Sequence, residues 1–399
     1  MMHDFFRTRY LVMYLSVFLV LLSSSIKQTE SFYEGSDRYF SFFTHNLAKG
    51  SSVFAVLSIL LAGSFYFFNH LKKMEQPVLG LEVRIFLGIK LLACFSYLIW
   101  GMLDSSLVLS FLITFIFSSY LVSMQSKYTG VFEHVAYAIA LYSCVFLIIN
   151  LYEYATNSSS VIWAGRLYGV TNHPNFIGGY SAIMIPFLLW SMQTAGKSVK
   201  IGLLFCALLL FAMVLLSGSR ASLASLFIGS FIFSVTSFGM RKSIFYVFLL
   251  LFMSVPLLML LVGFSGSSGF SLDRLLLTEN TRAYVNFELW SVFLEYPITG
   301  NPTIIGSTSN SYLLVLARFG MIGGILLVSL ILVTSRSILR VIREKKSSVS
   351  SAYIGSMAVI LPYSLFEGVL VENFSLGQMV FVICIVFFGC SFRSKGVLN

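Results

Sequence analysis

The sequence predicts an all-α, polytopic integral membrane protein with about twelve transmembrane helices, and three observations carry that prediction. Hydrophobic residues make up 57% of the 399 positions while Asp, Glu, Lys and Arg make up 11%, a balance that excludes an ordinary soluble domain. The apolar residues come in runs of about 20, the length needed to cross a bilayer. The 26 Lys and Arg residues collect in alternate connections, as expected when short basic loops stay cytoplasmic.

Read with that window, the spans centre near residues 18, 60, 92, 114, 141, 185, 208, 229, 253, 322, 361 and 382. The first, Leu11 to Ile26, follows Arg7 and Arg9. Ser23, Ser24 and Ser25 offer no clear small-x-small cleavage site, so the segment reads as a signal-anchor helix. The basic groups Arg7/Arg9, Lys72/Lys73, Lys127, Lys197/Lys200, Arg241/Lys242, Arg336 to Lys346 and Arg393/Lys395 then fall on one side. Both termini are expected in the cytoplasm. Orientation accounts for the net charge of +10, with attraction to anionic lipid headgroups beside it, so no nucleic-acid partner is expected. Cys94, Cys144, Cys206, Cys384 and Cys390 lie inside apolar spans without C-x-x-C spacing. They indicate neither a disulfide framework nor a metal knuckle and read as small core residues. Residues 1–399 form one polytopic membrane domain with no repeat or soluble module.

Three outer segments are long: Lys27 to Gly50, Tyr152 to Asn175, and Phe264 to Ser309. The last is an extracytoplasmic loop (264–309) between the ninth and tenth spans, approached through Gly263, Gly266 and Gly269. Within it, Val285, Leu289, Val292 and Phe293 recur at helical spacing, and Pro297, Gly300 and Pro302 end the run. This predicts a short amphipathic helix lying over the outer face, or a plain surface helix.

Four motifs carry polar residues into these segments. The first runs from Gly165 through Arg166, Tyr168, His173, Pro174 and Asn175 to Gly179, with Pro174 suited to a helix's first turn and Asn172 or Asn175 suited to cap it. The second, Ser217-Gly-Ser-Arg220-Ala-Ser222, joins two spans with almost nothing between them. A charge deep in a bilayer costs roughly 2.5–3.5 kcal/mol on insertion scales, so Arg220 needs carbonyls, a carboxylate, water or a ligand unless it snorkels to the headgroups. The third runs from Arg282 through Trp290 to Pro297-Ile-Thr-Gly300. The fourth, from Ser309-Asn310 to Gly320, Gly323 and Gly324, has small residues suited to close helix packing. Arg318 within it is expected to pair with Glu367 or Glu372 inside the membrane.

The set, in this order, resembles the membrane polymerase/ligase superfamily that handles lipid-linked bacterial glycans: O-antigen and capsule polymerases, O-antigen ligases and related protein oligosaccharyltransferases. The resemblance covers 165–324. It rests on an outer Arg before a Pro-Asn helix start, a Ser-Arg pair after a span, an Arg…Trp…Pro-x-x-Gly loop, and a closing motif. In ligases that motif reads His, then Asn, Ser or Gln, nine residues, Gly, two residues, and Gly, Thr or Tyr. Asn310, Gly320 and Gly323 fit the spacing, but Ser309 stands where the His would be.

The resemblance implies a GT-C-like fold in the bacterial cytoplasmic membrane, with the active site on the outer face. It implies transfer of a glycan from polyprenyl diphosphate to a hydroxyl of another lipid-linked repeat unit. Donor and acceptor are then both partners, with membrane lipids, a chain-length regulator and a flippase beside them. Guanidinium groups suit a departing diphosphate because their planar donors pair with phosphate oxygens and stay protonated. Arg220 and Arg282 are therefore assigned to it, with Arg166 as a third. Asn175, Ser309, Asn310 and Tyr168 are substrate-binding candidates. For the base the alternatives are His173, Glu288, or an unassisted reaction driven by leaving group and positioning. No cofactor is expected. The absence of an Asp-x-Asp pair or a carboxylate-rich outer loop predicts a metal-independent reaction. Ser309 in place of His favours a polymerase over a ligase. A flippase or transporter is the rival class, although its functional charges usually lie near the midplane of symmetric halves.

Overall fold

The computed structural model describes residues 8–26, 39–71, 78–103, 105–163, 165–240, 282–303, 310–344, 348–370 and 374–391. Apart from one ribbon of two-residue strands it is all-helical. Beside a single helical turn at Ser158–Val161, the helices in chain order are α1 (Thr8–Ser25), α2 (Phe42–Lys49), α3 (Ser51–Leu71), α4 (Leu81–Ile99), α5 (Ser105–Lys127) and α6 (Val131–Thr156). There follow α7 (Pro174–Thr194), α8 (Lys197–Leu216), α9 (Arg220–Phe238), α10 (Ala283–Glu295), α11 (Ser311–Glu344), α12 (Ser350–Tyr363) and α13 (Leu376–Cys390).

The chain is a multi-pass membrane protein. Among the described residues six helices (α5 to α9 and α11) are long and apolar enough to cross a membrane, or seven if α2 and α3, bent by 49°, make one span. Twelve were expected. Helices do cover the other expected centres, but α1, α12 and α13 are short, and α4 carries Glu82, Arg84 and Lys90. The centre near residue 253 lies outside the described residues.

The helices form two compact units. The first comprises Met1–Ser58, Glu133–Thr278 and Ser347–Tyr363; the second comprises Ile59–Phe132, Glu279–Lys346 and Ser364–Asn399. In the first, α9 packs along α12, and α7 packs against α8, α9 and α12. The α9–α12 crossing is close because of two glycines. A Cβ on Gly229 would stand 2.8 Å from the Gly355 carbonyl oxygen, and one on Gly355 the same distance from Phe233 Cβ. Such backbone approach is how helices gain contact in lipid, where no hydrophobic driving force separates them from solvent. α1 lies on α6 through Tyr10 and Tyr14, whose rings meet His134.

In the second unit α11 packs against α4 and α10, and α13 against α4 and α5. α11 is two helices joined at Gly320, where φ is 60° and ψ −157°. That conformation belongs essentially to glycine alone. The break leaves backbone groups without intrahelical partners, and the loop after α10 supplies them. Asn301 N–H donates to the Ala317 carbonyl at 2.7 Å, and Met321 N–H donates to the Pro297 carbonyl at 2.8 Å. The helical bond from Met321 to Ala317 is thus replaced by two bonds to the Pro297–Asn301 loop. The contact is backbone to backbone: a Cβ on Gly320 would lie 2.2 Å from the Ile298 oxygen, and one on Gly300 would lie 2.3 Å from Phe319 N. The third and fourth sequence motifs therefore interlock through their glycines.

Candidate functional site

The first two motifs meet at one end of α7, α8 and α9. Pro174 occupies the first helical position of α7, where its missing N–H costs nothing. That places His173, not Asn172 or Asn175, at the N-cap, and its ring Nδ1 accepts from Asn175 N–H at 3.2 Å. Asn175 is instead a bridge. Its Oδ1 accepts from Arg166 Nη2 at 2.8 Å, and Arg166 Nε donates to the Ser217 carbonyl at 2.8 Å. Ser217 is the C-cap of α8, so the guanidinium satisfies an orphan carbonyl at the negative end of that helix dipole. Arg166 reaches it from an antiparallel ribbon in which Ile162 faces Leu167 and Trp163 faces Arg166.

α9 begins at Arg220 and is capped by Ser219, whose Oγ accepts from Ser222 N–H at 3.3 Å. Ser222 Oγ lies 2.8 Å from Ser219 Oγ and 3.3 Å from the Asn175 carbonyl. Tyr363, the last residue of α12, donates its hydroxyl to that same carbonyl at 2.7 Å. Its ring lies against Gly179, where any Cβ would collide with it. The first turns of α7 and α9 are therefore side by side, and both present the positive end of a helix dipole. Arg166 is buried beside them and Arg220 is exposed.

His173 sits edge-on between Tyr168 and Phe176, with ring centroids 6.3 and 5.8 Å away. Because Nδ1 is the accepting atom of the cap, the proton of the neutral ring belongs on Nε2, which is then a donor. Tyr168, a substrate-binding candidate from the sequence, is buried. Tyr152 and Tyr154 are exposed, and Tyr152 makes an edge contact with Phe43.

A carboxylate that sequence reasoning passed over lies in the same unit. Glu153, fully buried in the last turn of α6, accepts from Ser41 N–H at 2.8 Å, Ser41 Oγ at 2.6 Å and Ser160 Oγ at 2.9 Å. An acidic residue at a helix C-terminus opposes the dipole. Its position in the last turn of an apolar span was the available signal that it must find donors.

The second unit holds the other candidates. Arg282 immediately precedes α10 and forms an ion pair with Glu367, whose side chain is 4% exposed against 26% for Arg282. Sequence reasoning offered Glu367 to Arg318; in the structure Arg282 reaches it. Glu367 also helps hold the start of α11: its carbonyl accepts from Ser311 Oγ at 2.6 Å, while Ser311 N–H donates to the Ser364 carbonyl at 2.9 Å. Asn310 caps α11, its Oδ1 accepting from the N–H groups of Tyr312 and Leu313 at 3.0 and 3.1 Å. Ser309 lies outside the described residues, as does Glu372. Glu288 is exposed on α10. Arg318 lines a small cavity with Lys90, Tyr97 and Leu370.

The structure thus brings Arg166, His173, Asn175 and Arg220 to one end of three packed helices, and Arg282 to Glu367 beside the start of α11. Tyr363, Ser217 and Ser222 complete the first group, and only the serines were part of a sequence motif. No protein-family model matches the chain, and no curated protein matches it.

Proposed function

We propose that this protein is a bacterial polysaccharide repeat-unit polymerase. It moves a glycan from polyprenyl diphosphate to a hydroxyl of a second lipid-linked unit at the outer face of the cytoplasmic membrane. The observation that supports this most is the pairing of the α7 and α9 N-termini with Arg166 and Arg220. Two helix dipoles and two guanidinium groups favour a multiply charged anion there, which suits a lipid diphosphate.

In the reaction the acceptor oxygen attacks the anomeric carbon, the bond from that carbon to the phosphate oxygen breaks, and the lipid diphosphate departs with the electron pair. The acceptor proton is lost to solvent or to the leaving group. Arg220, exposed at the start of α9, is placed to take up the growing charge, and held groups do this better than water because they need no reorganisation. Arg166 acts by tying the start of α7 to the C-terminal end of α8, from which the chain turns into α9. His173, donating through Nε2, is suited to a phosphate or sugar oxygen and not to base duty.

The purified full-length chain in bilayers, given a synthetic polyprenyl-diphosphate repeat unit, should make a ladder of longer products, with or without a chelator. Arg220→Ala should lower turnover by about 10²–10³, the usual cost of losing one preorganised charge-stabilising donor. Arg220→Lys should recover little of it, since a point charge lacks the paired donors. Wild-type product lengths from Arg220→Ala would remove the assignment.

A further inference from the structure

Helix α10 is too short to span a bilayer, at 13 residues against about 20 needed, yet it presents an apolar face to the outside. Tyr284 is 77% exposed, Phe287 71%, Leu294 61%, and Ile298 just beyond the helix 62%. Tyr284, Phe287 and Leu294 fall on one side of a helix, and Ser291 between them returns its hydroxyl to the Glu288 carbonyl. Leu289, on the opposite side, is 1% exposed and packs into the unit. Glu288 and Glu295 border the apolar face.

This face continues into a surface that must meet lipid. Ile298 belongs to the loop locked into the break of α11, and Met321 N–H bonds to the residue before it. From there Met321, Ile322, Ile325, Val328 and Leu332 of the spanning part of α11 are all about half exposed or more. Counting about 20 residues back from Arg336, the first charge near the far end of that span, places the opposite boundary of the hydrocarbon near residues 316–320. The lock at Gly320 therefore holds the C-terminal end of α10 at the boundary itself. Aromatic and aliphatic side chains on one face, with carboxylates at its edge, are what a helix lying in the headgroup–acyl interface requires.

We infer that α10 is an in-plane membrane helix whose Tyr284–Phe287–Leu294–Ile298 face is inserted among phospholipid acyl chains at the membrane boundary. The occupant is bilayer lipid, and the inference does not depend on the polymerase reading.

The test is photo-crosslinking in the full-length protein reconstituted in phosphatidylcholine–phosphatidylglycerol bilayers. Benzoylphenylalanine is placed at Phe287, at Leu294, at Glu288 on the edge, and at Ile325 of α11 as the lipid-facing control. All four positions are exposed, so packing is not disturbed. Phe287→benzoylphenylalanine and Leu294→benzoylphenylalanine should both give adducts of one-lipid mass on irradiation, in yields like those at Ile325 and above those at Glu288. Lipid adducts at Ile325 with none at 287 or 294 would overturn the inference. So would crosslinks at 287 and 294 that join two copies of the chain or capture another protein in cell membranes in place of lipid.

Discussion

At the scale of single residues, the sharpest question is what His173 does. Its ring is a helix cap, and capping needs an acceptor at that position, which asparagine also supplies. His173→Asn should therefore keep both fold and most activity. His173→Ala should cost about 1 kcal/mol of stability, the usual loss for a removed cap, read as a lower unfolding midpoint in detergent. Equal loss of turnover in both variants, with stability kept in the asparagine one, would mean that the ring acts on the substrate, as donor or as base, beyond its capping. Arg282 poses a different question, since its removal leaves the Glu367 carboxylate buried without its cation. Arg282→Met should destabilise by on the order of 3 kcal/mol, and adding Glu367→Gln should restore most of that loss. If turnover stays low in the stabilised double variant, Arg282 has a role in the reaction apart from the ion pair. These roles were only half legible in the sequence. His173, Asn175, Asn310 and Arg166 stand out as polar residues at span ends, but whether such a residue caps, bridges or binds depends on what folds against it. Tyr363 could not be anticipated: it lies 188 positions from Asn175, and nothing in its neighbourhood distinguishes it from any tyrosine ending an apolar helix.

At the scale of elements, the interlock of the α10–α11 loop with the break in α11 is a single joint made from two glycines. Gly320→Ala meets a glycine-only backbone conformation, costing about 1–3 kcal/mol, and its methyl would force the Ile298 carbonyl away. Gly300→Ala attacks the same joint from the other side, with φ at 67°. Each should lower stability markedly. The double variant should be less destabilised than the sum, because residues sharing one contact are not additive. Additive losses in a double-mutant cycle would mean that the glycines act separately. Periodicity was enough to place the α10 helix and its end, and spacing alone marked Gly300 and Gly320. That they touch was not readable, because a bond from Asn301 to Ala317 follows from tertiary packing and leaves no mark on either segment's pattern.

At the scale of the whole molecule, the alternation of basic loops makes a topological prediction. Glu288→Cys should react with an impermeant thiol reagent added to intact cells, whereas labelling only after permeabilisation would invert the orientation. The native cysteines are buried or half-buried within helices, which keeps the background low. Hydrophobic runs revealed a multi-pass helical chain, but not how long each helix is. Residues 350–363 and 376–390 belong to apolar runs yet form helices of 14 and 15 residues, because composition does not say where turns such as Ser364–Leu370 will interrupt a run. Helix α10 is fastened by a charge pair at its beginning, by buried Leu289 along its length and by main-chain bonds after its end. Separating Arg282 from Glu367 would release only the first of these, so the opening turn of α10 would fray while Leu289 and the joint at Gly320 keep the rest of the helix seated.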